Sequence, residues 1–221
     1  MSLIGLCGFA GSGKGTVADF LVKQHFKKIS FADTLKDVTA LLFDWPRDMV
    51  EGDTEESRKF RETPDPFWSK KFGKDFTPRQ ALQLMGTEAG RNVFHKDLWV
   101  HTTEKNIQKH PLVIIPDVRY PNEVKFIREN EGYIVRIRRG PEPEWFHTAW
   151  NENTHDDQWK LKNGWHRLSM QECYPRVHSS EWAWIGTEFD FIINNEGTLT
   201  ELEETVNYML QIMKNSDTIF V

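Results

Sequence analysis

The stretch Gly8-Phe9-Ala10-Gly11-Ser12-Gly13-Lys14-Gly15-Thr16 constrains this chain more than any other. It fits the pattern G-x-x-x-x-G-K. An apolar run, Leu3 to Cys7, precedes it, and an apolar helical face, Val17, Ala18, Phe20 and Leu21, follows. Strand, glycine-rich turn and helix in that order aim backbone N–H groups at one point and add the positive end of the helix dipole. Such a point attracts phosphate oxygens. Gly11, Ser12, Gly13, Lys14, Gly15 and Thr16 are therefore the expected ligands of nucleotide phosphates, with the Lys14 ammonium reaching the outer ones. Gly15 stands where the general pattern has Ser or Thr. Thr16 comes one position later and is the candidate to help place a metal ion, directly or through water.

The remaining periodicities alternate strands with helices. Strands are expected at 3–7, 28–32, 112–115, 133–138 and 189–193, and helices at 35–43, 98–108 and 121–130. Thr77-Pro78-Arg79-Gln80 offers an N-cap, a proline at the first helical position and a capping-box glutamine, opening a helix to about Asn92. Thr198 and Glu201 form a second such box. It opens a last helix whose apolar stripe is Leu199, Leu202, Val206, Met209, Leu210 and Met213. The expected fold is an α/β three-layer sandwich, a five-stranded parallel sheet with helices on both faces. The 221 residues read as one domain, 1–221, with a polar segment at about 44–92 and an insertion at about 140–187.

Three stretches carry candidate chemistry beyond the glycine-rich loop. Arg79, Gln83, Thr87 and Arg91 are four apart, so on an α-helix each step drifts only about 40° and the four share one polar side. That side is either solvated or faces a ligand, and Gly86 and Gly90 beside it permit close approach of a ligand or another backbone. Asp117 and Arg119 follow the buried strand Leu112 to Ile115, at the end of a parallel strand where ligands gather. Asp117 is placed to hold Mg²⁺ or its waters, and Arg119 to neutralise a phosphate; the plain alternative is a turn capping the next helix. Asp33 suits a helix N-cap, and Lys36 either reaches a second substrate or is solvated.

The insertion holds six of the nine tryptophans and four of the eight histidines without clear periodicity. Trp145, Trp150, Trp159 and Trp165 read first as the small core of a lid. No H-x-x-x-H pair or cysteine partner supports a metal site at His147, His155, His166 and His178. Arg136, Arg138 and Arg139 close the strand before it and Arg176 lies near its far end. Ser179-Ser180-Glu181 reads as a helix start.

Composition closes off other classes. A net charge of −5 argues against a general nucleic-acid binder, and no apolar run approaches the length of a membrane span. Two cysteines without a CxxC pair give neither a disulfide framework nor a zinc site, and Cys7 reads as a buried, inert thiol. The amino-terminal run reads as a strand rather than a leader, which leads us to expect a cytoplasmic protein.

GKGTVADFL, FADTLK, TPRQALQLMGTEAGR, DVRYPNE and the late His178-Ser179-Ser180-Glu181 followed by Phe189-Asp190 together resemble the deoxynucleoside monophosphate kinases of tailed phages. The resemblance covers most of the chain except the insertion and the polar segment 44–76. It implies the five-stranded P-loop kinase fold with an inserted lid, ATP and Mg²⁺ as cofactors, and a deoxynucleoside monophosphate as acceptor. It further implies the cytoplasm of an infected host cell. It puts Arg79, Gln83 and Arg91 near the acceptor and Arg119 near the phosphates. It also makes Asp33, Lys36, Thr87 and Glu181 candidate acceptor-side residues. In kinases of this general kind a lid brings arginines over the transferring group, which makes Arg138 and Arg139 candidates beside Lys14 and Arg119. Thr16 and Asp117 are the candidate metal residues. A homodimer is compatible with the sequence. The alternatives are another small-molecule kinase, such as a dephospho-coenzyme A kinase, or a non-kinase ATPase.

Overall fold

The computed structural model describes residues 2–162 and 169–215. In chain order the elements begin with β1 (Ser2–Cys7), α1 (Lys14–Lys23), β2 (Lys27–Lys28), α2 (Asp33–Phe43), α3 (Arg47–Glu51), α4 (Glu55–Glu62) and α5 (Pro66–Phe72). Next come α6 (Pro78–Gln83), a π-helix (Leu84–Phe94), α7 (Leu98–Ile107), β3 (Leu112–Ile115), α8 (Pro121–Glu129) and β4 (Tyr133–Arg138). The rest are α9 (Phe146–Thr154), α10 (Asp157–Lys162), α11 (Met170–Cys173), α12 (Ser179–Trp182), β5 (Phe191–Asn194) and α13 (Leu199–Asn215). They fall into two compact units: Met1–Lys28 with His110–Val221, and Ile29–Lys109.

The first unit contains the sheet, five parallel strands in the order β2-β3-β1-β4-β5. The first strand is central and all six of its residues are buried, so both faces must be covered. On one face Val17, Ala18 and Leu21 of α1 and Leu202, Val206, Met209, Leu210 and Met213 of α13 join Ile4, Leu6, Val135 and Ile137 in one core. On the other, Ile127 of α8 comes so close that a Cβ on Gly5 would stand 2.4 Å from it. The Thr198–Glu201 box forms as expected: each residue's side chain accepts the other's backbone N–H, at 2.7 and 3.3 Å. Leu199, placed in the apolar stripe by the pattern, is instead 67% exposed. It occupies the first turn, before the helix has reached the sheet.

Two strand boundaries move. The second strand is only Lys27–Lys28, not 28–32, because residues 30–33 form a local turn. Its Asp33 carboxylate accepts the Ser30 N–H at 2.9 Å, and the Ser30 hydroxyl accepts from Ala32 at 3.0 Å. Asp33 thus begins α2 rather than capping it. The last strand is Phe191–Asn194 rather than 189–193, since the Asp190 carboxylate already accepts the Ile134 N–H (2.6 Å) and the Arg128 guanidinium (2.5 Å).

The second unit is helical. Its core joins Ala40, Trp45, Val50, Phe76, Ala81 and Leu82, with Leu35, Phe43, Phe60 and Trp68 packed against it. Both indoles satisfy their N–H groups, Trp45 on the Asp65 carboxylate (2.9 Å) and Trp68 on the Phe43 carbonyl (3.0 Å). The segment 44–76, polar and unreadable as sequence, resolves into three short helices. Thr54 caps α4 and Asp65 caps α5, each accepting a backbone N–H. The Thr77–Gln80 box forms as expected around Pro78. The helix it opens does not stay α: from Leu84 it is a π-helix, bonded i→i+5.

Candidate active site

The glycine-rich loop lies between the central strand and α1, in the first unit. Gly8, Gly11 and Gly13 hold φ of 146°, 77° and 101°, a region side-chain-bearing residues rarely enter. A Cβ on Gly11 or Gly15 would meet nothing within 4 Å, so the mouth of the loop is open. The Lys14 ammonium folds back and donates to the Gly8 and Phe9 carbonyls, 2.7 Å each. Burial and the nearby Arg119 charge push its pKa down to about 8, against the pull of Glu181, Cys7 and Asp117. That field brings Lys14, Arg119, Glu181 and Asp117 into one electrostatic neighbourhood. Cys7, beneath the loop, is pushed up to about 12 by burial and then by Glu123, and is a neutral thiol at any working pH.

Arg119 extends from the turn after β3. Its guanidinium is 3.3 Å from both the Glu181 carboxylate and the Ser180 carbonyl. Glu181 lies on the short α12, whose start is fixed by His178: the imidazole Nδ1 accepts the Ser180 N–H at 3.2 Å. Thr16 is half-buried on α1, and Asp117 half-buried at the carboxyl end of β3. A hydroxyl and a carboxylate are oxygen donors of the kind Mg²⁺ takes, and the Ser12 hydroxyl is buried in the loop without a hydrogen-bond partner. The donor chemistry therefore fits a hard cation accompanied by phosphates.

Three positioning residues, Asn195, Glu123 and Phe9, were not singled out in the sequence, and Arg136, named there only as closing its strand, is a fourth. Asn195, just past β5, donates from its side-chain amide to the Ser12 carbonyl at 2.9 Å. A Cβ on Gly13 would stand 2.3 Å from that amide nitrogen, which explains why glycine is required there beyond its φ. Glu123, 2% exposed, accepts the Arg119 and Tyr120 N–H groups at 2.7 and 3.1 Å and so fixes the turn that presents Arg119. Phe9 seats the insertion on the loop, its ring 5.5 Å from Trp145, 6.3 Å from Phe146 and 5.0 Å from Trp184. Arg136 is almost enclosed, its guanidinium 5.2 Å from Phe146 and 5.3 Å from Trp184 and bonded to Glu142 at 2.6 Å. A glutamate three residues past the start of a turn is a legible cap signal. Phe9 and Asn195 carry no local signal.

Trp145 and Trp184 thus form a core shared with the loop, while Trp150 is 42% exposed and packs on His155, whose ring in turn meets Trp159. Trp165 and His166 lie outside the described residues. Arg138 and Arg139 are exposed, and Arg138 is 3.3 Å from Glu142.

In the second unit Lys36, Arg79 and Arg91 each have protein partners. Lys36 is neither solvated nor open: it is ion-paired with Glu51, while Arg47 binds Glu51 at 2.6 Å and Asp37 at 2.5 Å and lies 3.9 Å from Asp33. Burial alone would raise the Glu51 pKa, but these cations hold it below the usual carboxylate value. Arg79 is paired with Glu62, and Arg91 donates to the Lys96 carbonyl at 3.2 Å. Arg79 and Gln83 lie on α6 and Thr87 and Arg91 on the π-helix, and all four are half-buried. Gly86 and Gly90 admit protein, not ligand. A Cβ on Gly86 would meet Leu35 at 2.9 Å, one on Gly90 would meet Trp99 at 2.6 Å, and the Trp99 indole donates to the Gly86 carbonyl at 2.8 Å.

No protein-family profile matches the chain. A protein of Acanthamoeba polyphaga mimivirus that carries the name deoxynucleotide monophosphate kinase is 38% identical over 155 residues, 63% of this chain and 75% of that one. The deoxynucleoside-5'-monophosphate kinase of Escherichia phage T5 is 44% identical over 55 residues, 24% of this chain and 22% of its own. Among solved structures, the dephospho-CoA kinase of Campylobacter jejuni superposes with a TM-score of 0.45 at 13% identity, covering 99% of this chain and 100% of that one.

Proposed function

The chain belongs to the deoxynucleotide monophosphate kinase family, and from that membership we propose that it transfers the γ-phosphoryl group of ATP to a deoxynucleoside 5'-monophosphate. The products are ADP and the diphosphate, an activity that feeds DNA synthesis. One observation supports the donor half best: Lys14 is held at the floor of an open, positive-φ glycine loop by two 2.7 Å bonds to the loop's own carbonyls. When phosphates arrive, the ammonium exchanges those carbonyls for phosphate oxygens. Gly11, Ser12, Gly13, Gly15 and Thr16 present backbone N–H groups to the same anion.

Thr16 and Asp117 would hold Mg²⁺, which supplies charge neutralisation between phosphates. Arg119, released from Glu181, meets negative charge on the transferring group, and Arg138 and Arg139 add to it from the end of β4. The insertion at 140–187 closes as a lid that excludes water, its base packed on Phe9 through Trp145 and Trp184. On the acceptor side, Arg79, Gln83, Thr87 and Arg91 bind the monophosphate, with Asp33 and Lys36 shaping the same unit through the Arg47–Glu51 cluster.

The test is direct. The protein is incubated with ATP and Mg²⁺ and offered each deoxynucleoside and ribonucleoside monophosphate in turn. Diphosphate should form from at least one deoxynucleoside monophosphate. ATP hydrolysis without any diphosphate product would make the chain an ATPase. Transfer only to a non-nucleotide acceptor would reassign the second substrate.

A further inference from the structure

Three side chains of the second unit, none of them in the phosphate site, converge after the π-helix: His95, Asp97 and His101, each with a ligand atom within 4.8 Å of the others. Among the described residues this is the one cluster of three potential ligands so close. We propose that it is a binding site for a divalent first-row transition ion of the zinc type.

Local geometry brings the three together. Asp97 and His101 are one turn apart at the start of α7, where the His101 N–H donates to the Asp97 carbonyl at 2.9 Å, so their side chains share a face. Asp97 occupies the N-cap position, yet its carboxylate makes no cap hydrogen bond to α7; it lies 3.9 Å from His95 Nδ1. The His95 backbone N–H donates to the Gly90 carbonyl at 3.1 Å, anchoring the turn so that its ring sits 5.6 Å from that of His101. The Glu104 carboxylate is 3.6 Å from His101 Nδ1, the kind of outer partner that orients an imidazole and leaves its Nε2 lone pair for a metal.

Two imidazoles and a carboxylate select transition ions over Mg²⁺, which takes oxygen ligands. Bonds of about 2.1 Å allow ligand atoms no more than about 4.2 Å apart, so the site closes by a small swing of the rings. His95 is 57% exposed and His101 61%, and the His95 ring is held at Nδ1, which accepts the Asp97 N–H at 3.1 Å and leaves Nε2 toward solvent for the ion. Three protein ligands leave a fourth position to water. The bound ion would clamp the turn 95–97 against α7. Because Arg91 donates to the Lys96 carbonyl in that same turn, the ion would also steady the end of the π-helix.

Metal-stripped full-length protein is titrated with Co²⁺ and with Zn²⁺, following visible d–d absorption for the first and calorimetry for the second. One ion per chain should bind, with a tetrahedral Co²⁺ spectrum that Zn²⁺ abolishes and excess Mg²⁺ does not. His95→Ala and His101→Ala should each remove it, Glu104→Gln should weaken it on the order of tenfold, and His147→Ala should leave it unchanged. Circular dichroism of each variant separates loss of ligand from loss of fold, and Asp97→Asn supplies a second, near-isosteric change expected to weaken binding. Unaltered binding in the His95→Ala/His101→Ala double variant, or no binding by the wild-type chain, would overturn the proposal.

Discussion

The glycine-rich loop after β1 and the π-helix Leu84–Phe94 look alike in sequence. Each sets glycines among candidate phosphate-binding cations. The structure gives the glycines opposite work. In the loop, Gly11 and Gly15 face open space, and Lys14 is held by carbonyls it can give up. In the π-helix, Gly86 and Gly90 are covered by Leu35 and Trp99, and the flanking arginines are engaged with Glu62 and the Lys96 carbonyl. One set of glycines makes room for a ligand, and the other makes room for an indole. Composition does not separate these uses; what fills the space above each glycine does.

The contrast breaks most readily at Lys14. Lys14→Ala should lower kcat on the order of a hundred- to a thousandfold, because the ammonium meets charge that moves in the transition state. The fold should survive, since the side chain bonds only its own loop. Turnover near normal, with native circular dichroism, would remove the loop from the chemistry.

Arg79→Ala and Arg91→Ala probe the other side. Loss of a charge-assisted bond to phosphate corresponds to about ten- to more than hundredfold in affinity. The loss should fall on the KM for the monophosphate and spare that for ATP. If ATP suffers instead, the second unit has been assigned the wrong substrate. If neither changes, the arginines serve the fold, through contacts such as those with Glu62 and the Lys96 carbonyl.

The glycines themselves give a smaller, two-sided effect. Gly90→Ala places a methyl 2.6 Å from Trp99 and 2.7 Å from the Met85 carbonyl. Overpacking of this kind costs about 1–3 kcal/mol, read from urea unfolding. Gly15→Ala meets nothing, and as a helical Gly→Ala change it should leave stability level or raise it by up to about 1 kcal/mol. Its effect should appear in the KM for ATP. Matching stability losses at both positions would erase the distinction.

How far the sequence could be read follows the same division. The central strand, the loop, the Leu112–Ile115 strand, both TPRQ-type and TLTE-type caps and the last helix are local patterns, and they form where expected. The conversion to a π-helix is not local: it accompanies Trp99, thirteen positions past Gly86, whose indole takes a carbonyl of the helix. The three short helices of 44–76 are stabilised by contacts such as Trp45 on Asp65 and Trp68 on Phe43, which no window of periodicity contains. In the site, Lys14 and Arg119 announce themselves by position. Asn195 does not: it reaches the Ser12 carbonyl from 183 residues away.

The smallest effect tests the loop's electrostatics rather than its shape. Lys14 has a pKa of about 8, depressed by burial first and by Arg119 second, while Glu181 pulls it back up. A lysine is charged below its pKa and neutral above it. The kcat/KM for ATP, which reports the free enzyme, should therefore be level below about pH 8 and fall as pH rises through that value. Bound phosphates favour the charged form, so the matching limb of kcat should lie at higher pH. Glu181→Gln removes a charge that raises the lysine and should move the kcat/KM limb to lower pH; Arg119→Ala removes one that lowers it and should move the limb up. Cys7 also counts among the raising influences, but at about 12 it is neutral throughout this range, so Cys7→Ser should leave the limb where it is. A limb that ignores both Glu181 and Arg119 would belong to another group, and Lys14 would then be fully charged in the empty loop.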